Sequence, residues 1–348
     1  MTSINAMRFN EYEGAMVCDE QRGWNEENMK CLLSDKIKSV IPLEMTKQLG
    51  VVAAYGNTGT SSIGDELRIV IKERIEEEFE KNMGKPKKVL QKLFTIDYIA
   101  ELTYESIVNM KHRHINEELQ SKFGFNTMDL IRGFYVKNGK KIEIKDKDIK
   151  AEAFELVTWN KKGKSAQSVF LNSGIIAGFS PVSGFKIFHL DIMSAYYQQV
   201  GEVFLANGSG TMGATPVFSE LINNIDVNDR YDIDRIEGIF TIIDAVNEAK
   251  RKNLGVGGYF NILIFNGKEK NDEKKLMQFP DHRSKLATEI VECVRFNYLK
   301  RKTGLELLDL LLYKEKSFVE VYNLFMKSVD SKDEVNKFLR GYREKKNL

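Results

Sequence analysis

The sequence is poor in the residues that build metal clusters, disulfide frameworks and membrane spans. Three cysteines, Cys18, Cys31 and Cys293, stand among 348 residues and none forms a CxxC pair. That excludes a disulfide scaffold and points to a reducing cytoplasm. Cys18 falls within an apolar strand and reads as core, not as a reactive thiol. Of the four histidines, His112 and His114 lie two apart in a helical stretch. They would face different ways, which excludes chelation by that pair, and surface or core roles are expected for them and for His189 and His282. No metal and no cofactor is expected. No apolar run reaches the roughly 18 residues of a membrane span, and the start of the chain lacks the charged-then-apolar pattern of a secretory signal. The formal net charge is +2, from 52 basic and 50 acidic residues, so no field of one sign marks nucleic acid as a partner.

What is present begins at Thr2. Removal of Met1, favoured when a small residue follows, would leave a hydroxyl and a free α-amine on one residue. That amine has an ordinary pKa of about 7.7–8.0 and can act as a base toward its own hydroxyl, a recognised form of nucleophilic catalysis. Ser3–Phe9 and Ala15–Asp19 read as strands around the polar turn Asn10–Gly14. Arg22 follows Asp19, and Ser34-Asp35-Lys36-Ile37 opens another strand-like run. Leu49–Tyr55 (LGVVAAY) is continuous and apolar, as in a strand buried on both faces, and Gly56–Thr60 (GNTGT) reads as a turn. A helix starts near Ser61 or Ser62, with Asp65 as an acidic capping-box partner. Its apolar face is Ile63, Leu67, Ile71, Ile75 and Phe79.

A second helix is expected over roughly Ile96–Phe123, and Asn138-Gly139 marks a hairpin between Phe134–Val136 and Ile142–Ile144. The lysine-rich stretch Lys137–Lys150 reads as a solvated face. Further strands are expected at Val169–Phe179, Phe185–Met193, Glu202–Ala206 and Tyr259–Phe265, with helices at Pro216–Ile225 and Ile233–Lys250. Asn207–Gly213 (NGSGTMG) contains GxGxxG, but two consecutive helices follow it. The second parallel strand of a dinucleotide-binding unit is missing, so no nucleotide is assigned. Lys268–Glu273 reads as a linker, residues 283–346 are helical in pattern, and the tail RGYREKK reads as solvated.

An N-terminal threonine, an Asp closing the second strand, an Arg just after it and a Lys fourteen residues beyond that Arg resemble the proteasome β-subunit/HslV family of N-terminal-nucleophile (Ntn) hydrolases. The Thr2-to-Asp19 and Asp19-to-Arg22 spacings are each one residue longer than the family's. The resemblance runs to about residue 266. It implies a four-layer αββα sandwich over 1–267, a large insertion at about 124–167, and a linker with a helical extension over 268–348. It implies roles as well: Thr2 as nucleophile, Lys36 as the charge that lowers the amine's pKa, Asp19 as the partner of Lys36, and Arg22 as support. A glycine N–H after the buried strand would form the oxyanion hole, Gly59 or else Gly56, and Ser209 in its GSG turn would orient the amine. Asn253 and Val256 stand where active family members carry an Asp and a Ser that orient the amine; Asn253 can still hydrogen-bond in that role, without charge, and Val256 brings no polar group. Trp24 replaces a threonine that binds substrate backbone.

Three readings follow from that pattern. The first is a threonine-type peptidase or amidase acting on a peptide or protein. The second is a catalytically silent, proteasome-like structural or assembly subunit, favoured by Asn253, Val256 and the added segments. The third is a related Ntn transpeptidase. Self-association into a homo-oligomer, a ring in the family, is implied by resemblance, with no membrane and no nucleic acid.

Overall fold

A computed structural model describes residues 2–24, 29–32, 35–158, 172–191, 196–279, 282–333 and 335. The chain opens with β1 (Ile4–Arg8), β2 (Glu13–Asp19), β3 (Gln21–Trp24), β4 (Met29–Leu32) and β5 (Ile37–Ser39). Next come α1 (Leu43–Leu49), β6 (Val52–Gly59), α2 (Ser61–Asn82), α3 (Lys87–Leu93) and α4 (Ile96–Phe123). The middle adds α5 (Thr127–Arg132), the hairpin β7 (Phe134–Lys137) and β8 (Lys140–Glu143), and α6 (Lys147–Thr158). Four strands follow: β9 (Asn172–Ser180), β10 (Gly184–Asp191), β11 (Tyr196–Gln199) and β12 (Phe204–Asn207). The remainder is α7 (Thr211–Asn223), α8 (Arg235–Lys252), β13 (Phe260–Asn266), β14 (Leu276–Phe279), α9 (His282–Arg295), α10 (Arg301–Leu308) and α11 (Phe318–Ser328).

Two five-stranded antiparallel sheets result. The first is ordered β12-β1-β2-β13-β14 and the second β11-β10-β9-β6-β5. Because side chains alternate along a strand, each sheet has two faces to bury. Ile4, Met16, Cys18, Leu263 and Phe265 of the first sheet share one core with Ile37, Ala54, Ile175, Ala177 and Ile187 of the second. The other face of the first sheet, including Val17, Phe260 and Ile262, packs with side chains of α7–α11. The other face of the second, including Ala53, Tyr55 and Ile176, packs with side chains of α1–α6. The four-residue apolar repeat of α2 is buried throughout. Each such side chain contributes roughly 1.5–3 kcal/mol on leaving water.

The Asn138-Gly139 hairpin forms as expected, with φ of +51° and +73° at its two turn residues, the backbone hand that suits a two-residue loop. Within the expected insertion, α5, the residue after β8, and α6 contribute Leu130, Ile144, Ala153 and Leu156 to the core outside the second sheet.

Several expectations are corrected. Gly56–Gly59 is strand, not turn: β6 continues in register with β9 as far as Gly59 opposite Asn172. Gly56 is glycine because a Cβ there would lie 2.7 Å from an Ile37 methyl carbon and 3.1 Å from one of Ile4. The sheets approach too closely for a side chain. The capping box on α2 is absent; Thr60 makes no side-chain cap bond, and Asp65 pairs with Arg68 one turn on. The expected linker ends in a 3₁₀ turn, Asp272–Lys274, and leads into β14 on the edge of the first sheet, pairing with β13. Lys275 is held there by Asp272 and the Glu269 carbonyl. Helix α7 starts at Thr211, upstream of Pro216, which it accommodates in its interior. Helix α1 and strand β11 were not expected. The tail from 336 lies outside the described residues.

Candidate active site

Asp19 closes β2 and is fully buried. Its Oδ1 accepts the Ser3 N–H at 2.9 Å and the Lys36 ammonium at 2.7 Å, while Oδ2 accepts the Gly257 N–H at 3.1 Å. Two donors meeting on one oxygen make the start of the chain and the Lys36 Nζ neighbours. Lys36 immediately precedes β5 of the second sheet, whereas Asp19 belongs to the first. The ion pair therefore bridges the sheets at one end of their shared core. Beside it, burial pushes the Cys18 thiol up to about 12 despite the opposing pull of Lys36. Burial also raises the Glu20 carboxyl, against the attraction of Lys285.

Thr2 sits against the turn between β12 and α7. Its backbone nitrogen donates to Ser209 Oγ at 3.0 Å. Its carbonyl accepts the Gly210 N–H at 3.1 Å and lies 3.4 Å from Ser209 Oγ. Gly208 has φ of +96°, and a Cβ there would stand 2.3 Å from the Thr2 carbonyl oxygen. Only glycine meets both demands. Ser209 Oγ is thereby set against the Thr2 nitrogen.

Asn253 was expected to help orient the amine, but its Nδ2 donates to the Ser209 carbonyl at 2.8 Å and its Oδ1 accepts the Gly255 N–H at 2.9 Å. Both ends of the amide are thus bonded to backbone, so Asn253 braces the turn from outside. Val256 is buried and offers no polar group.

Gly59 ends β6, is exposed, and has φ of +117°. The Thr58 methyl lies 3.0 Å from the Cβ position of Gly208, the position that would also strike Thr2. The end of β6, the end of β12 and the beginning of the chain therefore converge, with Gly59 next to the point of contact. Gly56 is three residues further inside, beneath Ile37 and Ile4. Behind this mouth, Tyr55 donates to Asn172 Oδ1 at 3.0 Å, and Arg68 reaches Asn57 Oδ1 at 3.4 Å. The side chains of Arg22 and Trp24, and Ser34, lie outside the described residues.

Residue-type reasoning missed the backbone donors of Ser3 and Gly257 and the side chains of Ser173 and Asn207. A signal existed for Asn207, which opens the GxGxxG run NGSGTMG, and for Gly257, which follows Val256. Among the described residues, no group of three or more His, Cys, Asp or Glu could hold a metal ion. No helix among them is long and apolar enough to cross a membrane.

No family model matches the chain, and no curated protein matches it. Its structure is similar to that of Anbu, an ancestral β-subunit, from Yersinia bercovieri. The two chains are 10% identical, with 79% of this chain and 86% of that chain covered, at a TM-score of 0.49. It is similar also to a Gly-1 mutant of Anbu from Hyphomicrobium sp. strain MC1, at 12% identity, 76% and 83% coverage, and a TM-score of 0.46. A likeness this distant assigns neither family nor activity. Membership of the proteasome β-subunit/HslV family, expected from the sequence, is thereby corrected. The similar structures are Anbu proteins, and no family model supports the membership.

Proposed function

We propose that the chain is an N-terminal-nucleophile hydrolase of amide bonds, acting through Thr2 once Met1 is removed. The observation that carries this reading is the placement of Thr2. Its nitrogen is 3.0 Å from Ser209 Oγ, and the next peptide N–H shares one Asp19 oxygen with the Lys36 ammonium. In the proposed reaction Thr2 Oγ attacks the amide carbonyl and its proton passes to the Thr2 amine. The C–N bond breaks as that proton is delivered to the leaving amine, and water then hydrolyses the ester by the reverse transfers. Lys36 keeps positive charge beside the amine and favours its neutral form. Asp19 holds Lys36, Ser209 orients the amine, and the Gly59 N–H serves the developing oxyanion. Asn253 acts through the Ser209 turn.

The reading takes the stacked sheets and their flanking helices as a four-layer αββα body over 1–267, with an insertion at about 124–167. The segment 268–348 is then an extension whose strand β14 completes a sheet edge. A peptide or protein as substrate, and a homo-oligomeric ring as the assembly, belong to the same reading.

Intact-mass analysis of the protein from its own cell, before and after a threonine-directed electrophile, tests it. Loss of Met1 with one adduct that disappears in Thr2→Ala supports hydrolysis. Product analysis with an added amine acceptor separates hydrolysis from transpeptidation. A silent structural subunit is the second reading, favoured by the commitment of Asn253 to backbone and by the apolar Val256. Retained Met1 with no adduct would establish it.

A further inference from the structure

We infer that Ser173 and Asn207 are positioning residues that lock the two sheets at the mouth of the candidate site, an inference that rests on the reading above. In that reading the nucleophile precedes β1 of the first sheet and the oxyanion donor ends β6 of the second. Chemistry then depends on the offset between sheets. Most of what joins them is the apolar core, and apolar contact is non-directional. It holds the sheets together without fixing their offset to fractions of an ångström.

Ser173 and Asn207 supply direction at that point. Ser173 lies in β9 of the second sheet and Asn207 ends β12 of the first. Asn207 Nδ2 donates to Ser173 Oγ at 3.0 Å, and the serine hydroxyl lies 3.3 Å from Asn207 Oδ1. Each residue also grips one half of the site. Asn207 Oδ1 accepts the Gly208 N–H at 2.8 Å, in the turn that presents Ser209 to Thr2. The Ser173 carbonyl accepts from Thr58 Oγ1 at 3.3 Å, one residue before Gly59. His189 Nε2, 3.1 Å from Ser173 Oγ, backs the serine from β10. The pair therefore couples the amine-orienting turn to the strand end that carries the oxyanion donor. The Asp19–Lys36 pair is a second bridge between the sheets, but it grips neither of these two segments.

The test uses the full-length chain and compares Asn207→Ala, Asn207→Asp and Ser173→Ala with wild type. Two readouts are taken: the saturation kinetics of Thr2 adduct formation, and hydrogen exchange at the Gly208 and Gly210 amides. A misplacement near 1 Å costs about a hundredfold in rate. Asn207→Ala should therefore lower the limiting adduct rate about 10- to 100-fold while half-saturation changes less than about threefold. Asn207→Asp, which keeps both acceptor contacts, should recover part of the rate. The Gly210 amide, which donates to the Thr2 carbonyl, should exchange faster in Asn207→Ala while amides of β2 and β13 do not change.

Wild-type limiting rates in Asn207→Ala and Ser173→Ala would overturn the inference. So would a lowered melting temperature with an unchanged rate per folded molecule. A wild type that forms no adduct defeats the hydrolase reading instead. Exchange at Gly210 then decides alone: unchanged protection in Asn207→Ala overturns the positioning role, and lost protection sustains it.

Discussion

Replacing Lys36 by methionine isolates the bridge on which the site is built. Asp19 is fully buried and Lys36 is 6% exposed, so solvent screens neither charge effectively. Of the three donors to Asp19 among the described residues, two are backbone N–H groups and Lys36 is the one that carries charge. Removing one member of a buried ion pair typically costs about 3–5 kcal/mol, because the other charge stays buried without compensation. The two retained N–H bonds are worth roughly 1.5–3 kcal/mol each to a charged acceptor and place the expected loss near the lower limit. Methionine fills the space of the lysine stem, so little of the loss is cavity. We expect Lys36→Met to destabilise by about 3 kcal/mol. The double variant Asp19→Asn/Lys36→Met should lose only about 1 kcal/mol, since neither charge remains and the asparagine oxygen still accepts a backbone N–H. Equilibrium urea unfolding followed by circular dichroism, at constant m-value, measures both. A loss below about 1 kcal/mol in the single variant, or a double variant no more stable than the single, would refute the claim that Asp19 depends on Lys36.

Other outcomes follow from the same geometry. Gly208→Ala puts a side chain 2.3 Å from the Thr2 carbonyl at a φ of +96°, so thermal melting should show a loss above about 2 kcal/mol. Gly139→Ala, at a hairpin tip with open space and a φ of +73°, should cost only the strain of about 1 kcal/mol. Burial raises the Cys18 and Cys293 thiols to about 12. Peptide mapping after alkylation of the native protein at pH 8 should find both unmodified, and alkylation faster than global unfolding would contradict their burial. Glu20 has its carboxyl raised by burial, so folding disfavours its charged form. Stability from this group is full below the ordinary glutamate value, about 4.3, and is lost as pH rises through the higher folded value. Glu20→Gln should be more stable than wild type at pH 7, with the advantage vanishing below pH 4 in urea titrations.

How much of this was legible depended on whether side chains or backbone carried the signal. The helix α4 was read to its observed limits, because an apolar repeat over seven turns leaves no alternative burial. Asp19, Lys36 and Ser209 were singled out through the family resemblance, which rests on residue type and order along the chain. The glycines of β6 misled because glycine in a sequence has two meanings, permission for positive φ and room for a neighbour. At Gly56 the second applies. Which holds there depends on Ile37 and Ile4, partners on other strands that no local window contains. The strand β14 was hidden for a similar reason. Its four residues, LMQF, follow a polar run, and only pairing with β13 makes them a strand. The contacts of Asn253 were equally out of reach, since its acceptor is the Ser209 carbonyl, 44 residues away.

The GxGxxG run shows how far one pattern can serve another end. In a dinucleotide site such glycines let backbone approach a pyrophosphate. Here β12 runs antiparallel to β1, and each glycine admits a piece of the protein itself. Gly208 admits the Thr2 carbonyl, Gly210 admits Ser3, whose Oγ would lie 2.7 Å from a Cβ, and Gly213 admits the α8 backbone at Ala249, 2.7 Å away. Three close approaches in six residues bring the first residues of the chain, the start of α7 and the last turns of α8 together. They also force Ser209, the side chain among them that bonds to Thr2, against the Thr2 nitrogen. The demand for small residues comes from the close crossing of chain segments, and the segment that carries the candidate nucleophile is one of those crossed.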